Sequence, residues 1–244
     1  MGISERQNEI LKIIGENTYV SVNELSERTF TSPSSIRRDL TRLENLGLVN
    51  RSYGGASLPE ISGRVAGFYN RTTKSIKEKR LIAQKAASLL KRGQSILLDS
   101  STTASFMLPY IAKLDSAVIF TNNLETAVGA IKRGICTHCI GGASINGSVS
   151  LGGSQTYRAL SNISVDIMFF SSQSLSIDGV ITDSTEEENY VRSIMLKRAE
   201  KTVFLCDSTK FNTKSLYTLS SLDCIDYAVF DRDFEGLVTK ATLI

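Results

Sequence analysis

The chain has 244 residues, 41% of them hydrophobic, with 28 Lys and Arg against 25 Asp and Glu for a net charge of +3. Its apolar runs, such as Ser95–Leu98 and Ala117–Phe120, fall far short of the ~18 residues a membrane span needs, so one large or two smaller globular domains are expected. Met1–Arg6 carries neither a basic-then-apolar leader nor a myristoylation signal, and the expectation is a cytoplasmic protein with no membrane partner.

The net charge hides a partition. Residues 1–60 carry 7 basic and 8 acidic groups, residues 61–92 carry 9 and 1, and residues 93–244 carry 12 and 16. A basic segment between two near-neutral or acidic blocks predicts a modular chain.

Ile10, Leu11, Ile13 and Ile14 give one apolar face to a helix from about Glu5 to Glu16. Ser21 caps a second helix, which carries Val22 and Leu25 and ends near Thr29. Ser32 at an N-cap with Pro33 at the first helical position starts a third, which Gly47 stops. Within it, Ile36, Leu40, Leu43 and Leu46 repeat at helical spacing and predict a core face. The opposite face carries Ser34, Arg38, Thr41 and Arg42, with Ser35 and Arg37 on its flanks. Two helices across a tight turn, the second presenting hydroxyls and guanidinium groups outward, describe a helix-turn-helix. Arginine forks match guanine edges and phosphates, and the hydroxyls of Ser32, Ser34 and Ser35 suit base edges or phosphates. Leu48 to Leu58 then reads as a hairpin wing turning at Gly54-Gly55, from which Arg51 and Tyr53 reach the DNA backbone or minor groove. The arginines alone would pass for a solvated face; the capped turn, the buried face and the wing together favour DNA.

Three segments here, Arg6-x-x-x-Ile10-x-x-x-Ile14, Ser32-x-x-Ser35-Ile36-Arg37-Arg38-Asp39-Leu40 and Arg51-x-Tyr53-Gly54-Gly55-Ala56, resemble the DeoR family of bacterial transcriptional regulators. The resemblance implies that Arg37, Arg38 and their neighbours sit in the major groove. Ser35 stands where the family usually has threonine.

Residues 3–58 are thus expected as a winged helix-turn-helix, residues 59–74, with Pro59, Gly63 and Gly67, as a linker, and residues 75–244 as a second domain. That domain opens with a helix from about Ser75 to Gly93, apolar along Ile82, Ala86, Leu89 and Leu90. Lys74, Lys77, Lys79, Arg80, Lys85, Lys91 and Arg92 cover the rest, and a solvated basic face is expected.

Beyond Gly93, apolar runs alternate with helical segments, which predicts an α/β domain with a mainly parallel sheet. The strands are expected at Ser95–Leu98, Ala117–Phe120, Ile135–Ile140, Asp166–Phe170, Val203–Cys206 and Tyr227–Phe230, with a late helix over Thr185–Lys201. Polar groups follow several strands: Asp99 to Thr103, Thr121 to Asn123, Gly141-Gly142 and Asp207 to Lys210. The carboxyl ends of strands form the ligand crevice of open α/β sheets. In one physical picture Ser100, Ser101, Thr102 and Thr103 hold a phosphate and Lys210 adds a point charge. Asp99, Asn122, Asn123 and Asp207 bond sugar hydroxyls, and Gly141 and Gly142 admit close backbone approach. Caps and turns are the plainer reading of such clusters, but four of them each follow a strand.

The same motifs in the same order are similar to the DeoR-type sensor domain, which implies a fold related to ribose-phosphate isomerases and CoA transferases. Asp178 and Gly179 match that family as well. Ser101 stands where glycine is common, Arg192-Ser193 where a Lys-Arg pair is usual, and the loop Ser171–Gly179 lacks the usual glycines.

Cys136, Cys139, Cys206 and Cys224 lie in apolar contexts and are expected as buried thiols. Cys136 and Cys139, three apart in a strand, face opposite sides, and no second pair completes a zinc set. No G-x-G-x-x-G or Walker motif occurs, so neither metal nor cofactor is expected. The functional expectation is a non-enzymatic repressor of a sugar or polyol operon. It would bind a double-stranded operator as a homo-oligomer and release it when a phosphorylated sugar occupies the second domain. The alternative is a sugar-phosphate isomerase-like enzyme using Asp99, Asp207 or Glu187 as base near Lys210, although an enzyme has no need of residues 1–58.

Overall fold

The computed structural model describes residues 4–17, 19–52, 54–58, 67–68 and 71–244. Ile3, Tyr53 and residues 59–66 and 69–70 of the expected linker lie outside the described residues. The chain divides into two units, Met1–Asn70 and Arg71–Ile244.

In the first unit, helix α1 (Glu5–Gly15) opens on a capping box: Ser4 Oγ accepts from the Gln7 N–H, and the Gln7 side chain accepts from the Ser4 N–H. Strand β1 (Val20–Ser21) leads into α2 (Val22–Arg28), and α3 (Pro33–Asn45) follows a turn at Phe30, where φ is +50°. β2 (Asn50–Ser52) and β3 (Gly55–Ser57) form the wing, completed by β1 in the order β1-β3-β2. Ile10, Ile14, Leu25, Ile36, Leu40 and Leu43 are fully buried in one core, each contributing about 1.5–3 kcal/mol of apolar burial. Leu46 departs from expectation. Helix α3 ends one residue before it, so Leu46 leaves the helical register and is half exposed.

The second unit begins with helical residues 71–73, part of the expected linker, followed by α4 (Ile76–Ala86) and one 3-10 turn, Ala87–Leu89. β4 (Ser95–Leu98) leads through the short helices α5 (Thr102–Ser105) and α6 (Leu108–Ile111) to β5 (Val118–Thr121), α7 (Leu124–Ile131) and β6 (Cys136–Cys139). A β7 (Ala143–Ser144), β8 (Leu151–Gly152) pair precedes α8 (Ser154–Ser161) and β9 (Val165–Phe170). Then come β10 (Ser174–Leu175), β11 (Val180–Asp183), α9 (Glu186–Leu196), β12 (Ala199–Cys206), β13 (Tyr217–Ser221), β14 (Tyr227–Phe230) and β15 (Thr242–Leu243). The main sheet has seven strands in the order β15-β14-β12-β9-β4-β5-β6, and every pair in it is parallel. Alternation along the strands feeds two cores. Ile96, Leu98, Ile119 and Phe169 pack against Ile82 of α4 and Ile111 of α6. Leu97, Met168, Phe170 and Phe204 pack with Leu160 of α8 and Met195 of α9.

Several expectations are corrected. The late helix stops at Leu196, and Ala199–Lys201, expected as its last turn, begins β12. The separate sheet β10-β11-β13 was not foreseen, because its Ser- and Thr-rich segments lack a long apolar run. Of the four thiols only Cys206 is buried; Cys136 and Cys139 lie on the edge strand β6, and Cys224 lies in an exposed turn. Two lysines of the expected solvated face are drawn inward: Lys79 is 4% exposed, and Lys85 Nζ donates to the Phe230 carbonyl at 2.9 Å. No helix among the described residues is long and apolar enough to cross a membrane.

Candidate functional site

The outward face of α3 is set by its cap. Ser32 Oγ accepts from the Ser35 N–H, lies 3.1 Å from Ser34 Oγ and donates to Ser35 Oγ at 3.0 Å, so the three hydroxyls form one cluster at the helix start. Arg37, Arg38, Thr41 and Arg42 are exposed. Among the described residues none of these three arginines has an ion-pair partner. Arg51 is engaged differently: Nη1 donates to Thr41 Oγ1 at 2.8 Å and lies 3.5 Å from Glu44 Oε2, which ties the wing to α3. Gly54 is exposed at the wing turn with φ +83°. Gly55 is buried, and a Cβ there would sit 2.3 Å from the Val20 carbonyl oxygen, so this glycine serves the β1–β3 contact. Asp39, to which the sequence assigns no role, holds Arg6 Nε at 2.6 Å and Gln7 Nε2 at 2.9 Å and so locks α1 to α3. Its hydrogen bond and its charge both raise the pKa of Arg6.

In the second unit the loops after β12, β9, β4, β5 and β6 lie side by side in that order. Asp99, 1% exposed, is fully engaged. It accepts from the Ser101 N–H and Oγ, from the Ser171 N–H at 3.3 Å, and from Arg192 Nε at 2.9 Å. Arg192 also donates Nη1 to Asp183 Oδ2 at 3.0 Å, and Asp183 takes the Ser172 hydroxyl at 3.1 Å. Burial works to lower the pKa of Arg192, but the charges of Asp99, Asp183 and Glu188 outweigh it and hold the guanidinium above its ordinary value. Asp207 lies 3.4 Å from Lys210 Nζ and accepts from the Thr209 hydroxyl. Burial pushes its carboxyl up, yet Lys210, Thr209 and Lys79 together bring it below the usual range. Lys210 also donates to Ser171 Oγ at 2.8 Å, which joins the β12 and β9 loops.

Beside these, Ser101 Oγ caps α5 by accepting from the Ala104 N–H, and Thr121 Oγ1 accepts from the Asn123 N–H. Asn123 caps α7 through Thr126 and donates to the Ser100 carbonyl. Asn122 Nδ2 donates to the Leu151 carbonyl at 2.8 Å, while its buried Oδ1 has no partner among the described residues. Ser100, Thr102 and Thr103 are buried residues of the same loop and helix start. Gly141 is open, with nothing within 4 Å of where a Cβ would sit, whereas at Gly142 a Cβ would meet Thr156 Oγ1 at 2.0 Å. Asp178 and Gly179 are not brought to this cluster. They form the tip of the β10–β11 hairpin, where Ser176 lowers the Asp178 pKa and the Gly179 N–H donates to the Ser176 carbonyl.

The sequence reading missed Asp183, Ser171, Ser172, Arg192 as a bridging cation, and the segment 150–153 that reaches the β5 loop through the Asn123–Ser150 bridge. Gly152-Gly153 directly before a helix was the available signal for that segment, with Gly153 at φ +87°. Among the described residues no group of three or more His, Cys, Asp or Glu is placed to hold a metal. His138 instead stacks on Phe120 at 4.7 Å.

Comparison with known proteins agrees with both units. Residues 6–62 match the family model of the DeoR-like helix-turn-helix domain, and residues 74–232 match the DeoR C terminal sensor domain. The chain is 31% identical over 237 residues to the HTH-type transcriptional regulator GolR of Listeria innocua, covering 97% of this chain and 93% of that one. It is 27% identical to the glycerol-3-phosphate regulon repressor of Haemophilus influenzae, covering 96% and 92%. Among solved structures, ribose 5 phosphate isomerase A from Neisseria gonorrhoeae aligns with a TM-score of 0.41 at 13% identity, over 57% of this chain and 54% of that one. With an exposed arginine helix behind a capped turn, and a parallel sheet whose strand ends gather the sensor motifs, the chain belongs to the DeoR family of transcriptional regulators.

Proposed function

We propose that the protein represses a sugar or polyol utilisation operon and that a phosphorylated sugar bound over the strand ends of the second unit relieves the repression. A homo-oligomer presents paired α3 helices to operator half-sites in double-stranded DNA. Arg37, Arg38 and Arg42, with the Ser32–Ser35 hydroxyls, contact base edges and phosphates; Thr41, Arg51 and Gly54 support the approach of the wing.

The observation that carries the sensing half is an unsatisfied buried polar atom, Asn122 Oδ1, among hydroxyl-rich strand-end loops. The buried Asn122 Oδ1 lacks a donor among the described residues, and the neighbouring strand ends carry the hydroxyl residues Ser100, Thr102 and Thr103 and a loop that ends in Lys210. Buried polar groups without partners are costly, so a ligand rich in hydroxyls and anionic oxygens gains by satisfying them. From the β12 loop to the β5 loop the crevice spans three strand spacings, about 14 Å, room for an extended sugar phosphate. Asp99 supports this lining through Ser101 and Ser171 while itself paired to Arg192, and Asp207 positions Lys210. Thr121, Asn123 and Gly142 shape the loops. The name of the Haemophilus influenzae relative, a glycerol-3-phosphate regulon repressor, points to the same ligand class.

Release follows from linkage: an effector that binds one arrangement of the protein better than the operator-bound one lowers DNA affinity by the same coupling energy. Fluorescence anisotropy on a labelled operator, titrated with glycerol 3-phosphate, ribose 5-phosphate, fructose 6-phosphate, glucose 6-phosphate and their dephosphorylated forms, tests it. One phosphorylated member should weaken binding about tenfold, a coupling of ~1.4 kcal/mol. Operator affinity indifferent to the whole panel would sink the sensing reading.

A further inference from the structure

Glu187 is the middle one of three acidic residues in the first turn of α9, and its carboxylate lies against the backbone of another segment. A Cβ added at Gly152 would sit 3.0 Å from Glu187 Oε1. That segment is held on both sides. The Leu151 N–H donates to the Asn122 carbonyl and Asn122 Nδ2 donates to the Leu151 carbonyl, each at 2.8 Å. Gly152 pairs with Ala143 of β7. Glu187 is partly buried, and among the described residues no hydrogen bond or ion pair engages its carboxylate. Asn122 is 2% exposed, and its Oδ1 likewise has no partner among the described residues. Two acceptors without donors therefore abut consecutive residues, Leu151 and Gly152. The backbone leaves room beside them: a Cβ at Gly153, or at Gly141 whose carbonyl takes the Thr156 hydroxyl, would meet nothing within 4 Å.

The other end of the crevice has the opposite chemistry. Lys210, on the β12 loop, donates to Ser171 after β9, and β12 stands three strands from β5 in the sheet. We propose that Glu187 and Asn122 Oδ1 form the hydroxyl-reading end of the ligand site and so set the direction of the ligand. Its phosphate lies toward Lys210 and its carbon-borne hydroxyls toward the β5 loop. The proposal rests on the sensing reading above. Hydroxyls supply the donors that both acceptors lack, and an O–H···O⁻ bond to a carboxylate is a short and strong one. A phosphate has the wrong sign for this end, because its oxygens would meet a carboxylate that no cation pairs. Arg192, on the same helix, is already spent on Asp99 and Asp183.

Isothermal titration calorimetry on the full chain tests this with glycerol 3-phosphate, ribose 5-phosphate, fructose 6-phosphate and glucose 6-phosphate. Methyl phosphate serves as the phosphate monoester without a hydroxyl. In Glu187→Gln each sugar or polyol phosphate that binds the parent should bind about tenfold more weakly, the difference between a charged and a neutral acceptor. Methyl phosphate should bind no more weakly than to the parent. The ligand-free unfolding midpoint of the variant should stay within about 4 °C of the parent, the reach of one first-turn charge on the α9 dipole. A larger fall makes the carboxylate structural and overturns the assignment. Undiminished affinity in Glu187→Gln overturns it while leaving the sensing reading intact, as does an equal loss for methyl phosphate. No binding of any phosphorylated probe to the parent sinks both.

Discussion

Replacing Arg192 with methionine should destabilise the second unit by several kcal/mol, for a reason that can be worked from three side chains. The guanidinium lies 2.9 Å from Asp99 and 3.0 Å from Asp183, and the side chains are 5%, 2% and 4% exposed. Methionine fills much of the volume but leaves two carboxylates buried without a cation. Breaking a buried pair in this way costs about 3–5 kcal/mol, because the remaining charges are cut off from water. For a unit of this size each kcal/mol moves the midpoint by about 2–4 °C, so a fall of roughly 6–20 °C is expected. Scanning calorimetry of the full chain separates the two units and assigns the loss. The triple change Arg192→Met, Asp99→Asn, Asp183→Asn should recover most of the deficit, since it leaves no unpaired charge. A single variant within about 1 kcal/mol of the parent would refute the reasoning, as would a triple variant no more stable than the single.

Three further outcomes follow from other sites. Arg38→Ala should weaken operator binding by about 1–3 kcal/mol, roughly 5- to 150-fold, without changing the unfolding midpoint; unchanged affinity in a gel shift would remove Arg38 from the groove. Gly55→Ala should cost the first unit about 1–3 kcal/mol, because the new methyl lies 2.3 Å from the Val20 carbonyl oxygen; a normal calorimetric midpoint for that unit would contradict the packing. Lys79 has a folded pKa of about 8 against an ordinary value of 10.5, so between these pH values the unfolded chain binds more protons and stability rises with pH. Measured by urea unfolding, the parent should therefore gain about 3 kcal/mol on Lys79→Met from pH 8 to 10.5, and a flat difference would show that Lys79 is not so perturbed.

What was legible in the sequence was whatever repeats along the chain. Ser32 with Pro33 announced the start of α3, and the spacing of Ile36, Leu40 and Leu43 set its buried face. The runs at Ser95–Leu98 and Tyr227–Phe230 appeared as strands at those bounds. Pairings across long separations were not legible. Arg192 and Asp99 are 93 residues apart, and nothing local distinguishes Arg192 from a solvated helix residue. Lys79 reads like its basic neighbours for the same reason: charge on a helix marks a polar face only when no carbonyl waits opposite it. The motif match of Asp178 and Gly179 said nothing of their local geometry, which is the tip of the β10–β11 hairpin.

The charges around the crevice explain why so much of its polar material is structural. Asp99, Asp183 and Asp207 face Arg192, Lys210 and Lys79, three anions against three cations when Lys79 is protonated. A phosphate monoester brings a charge of about −1.5 to −2 into this balanced set, so bulk attraction is not what would hold it. Fixed donors must do so instead, and fixed donors need supports that do not relax when the ligand arrives. Asp99 supplies one by gripping the Ser101 and Ser171 amides while Arg192 neutralises it. Asp207 supplies another by steering Lys210 toward Ser171. On this view the buried ion pairs are the frame of a sensor rather than its ligands.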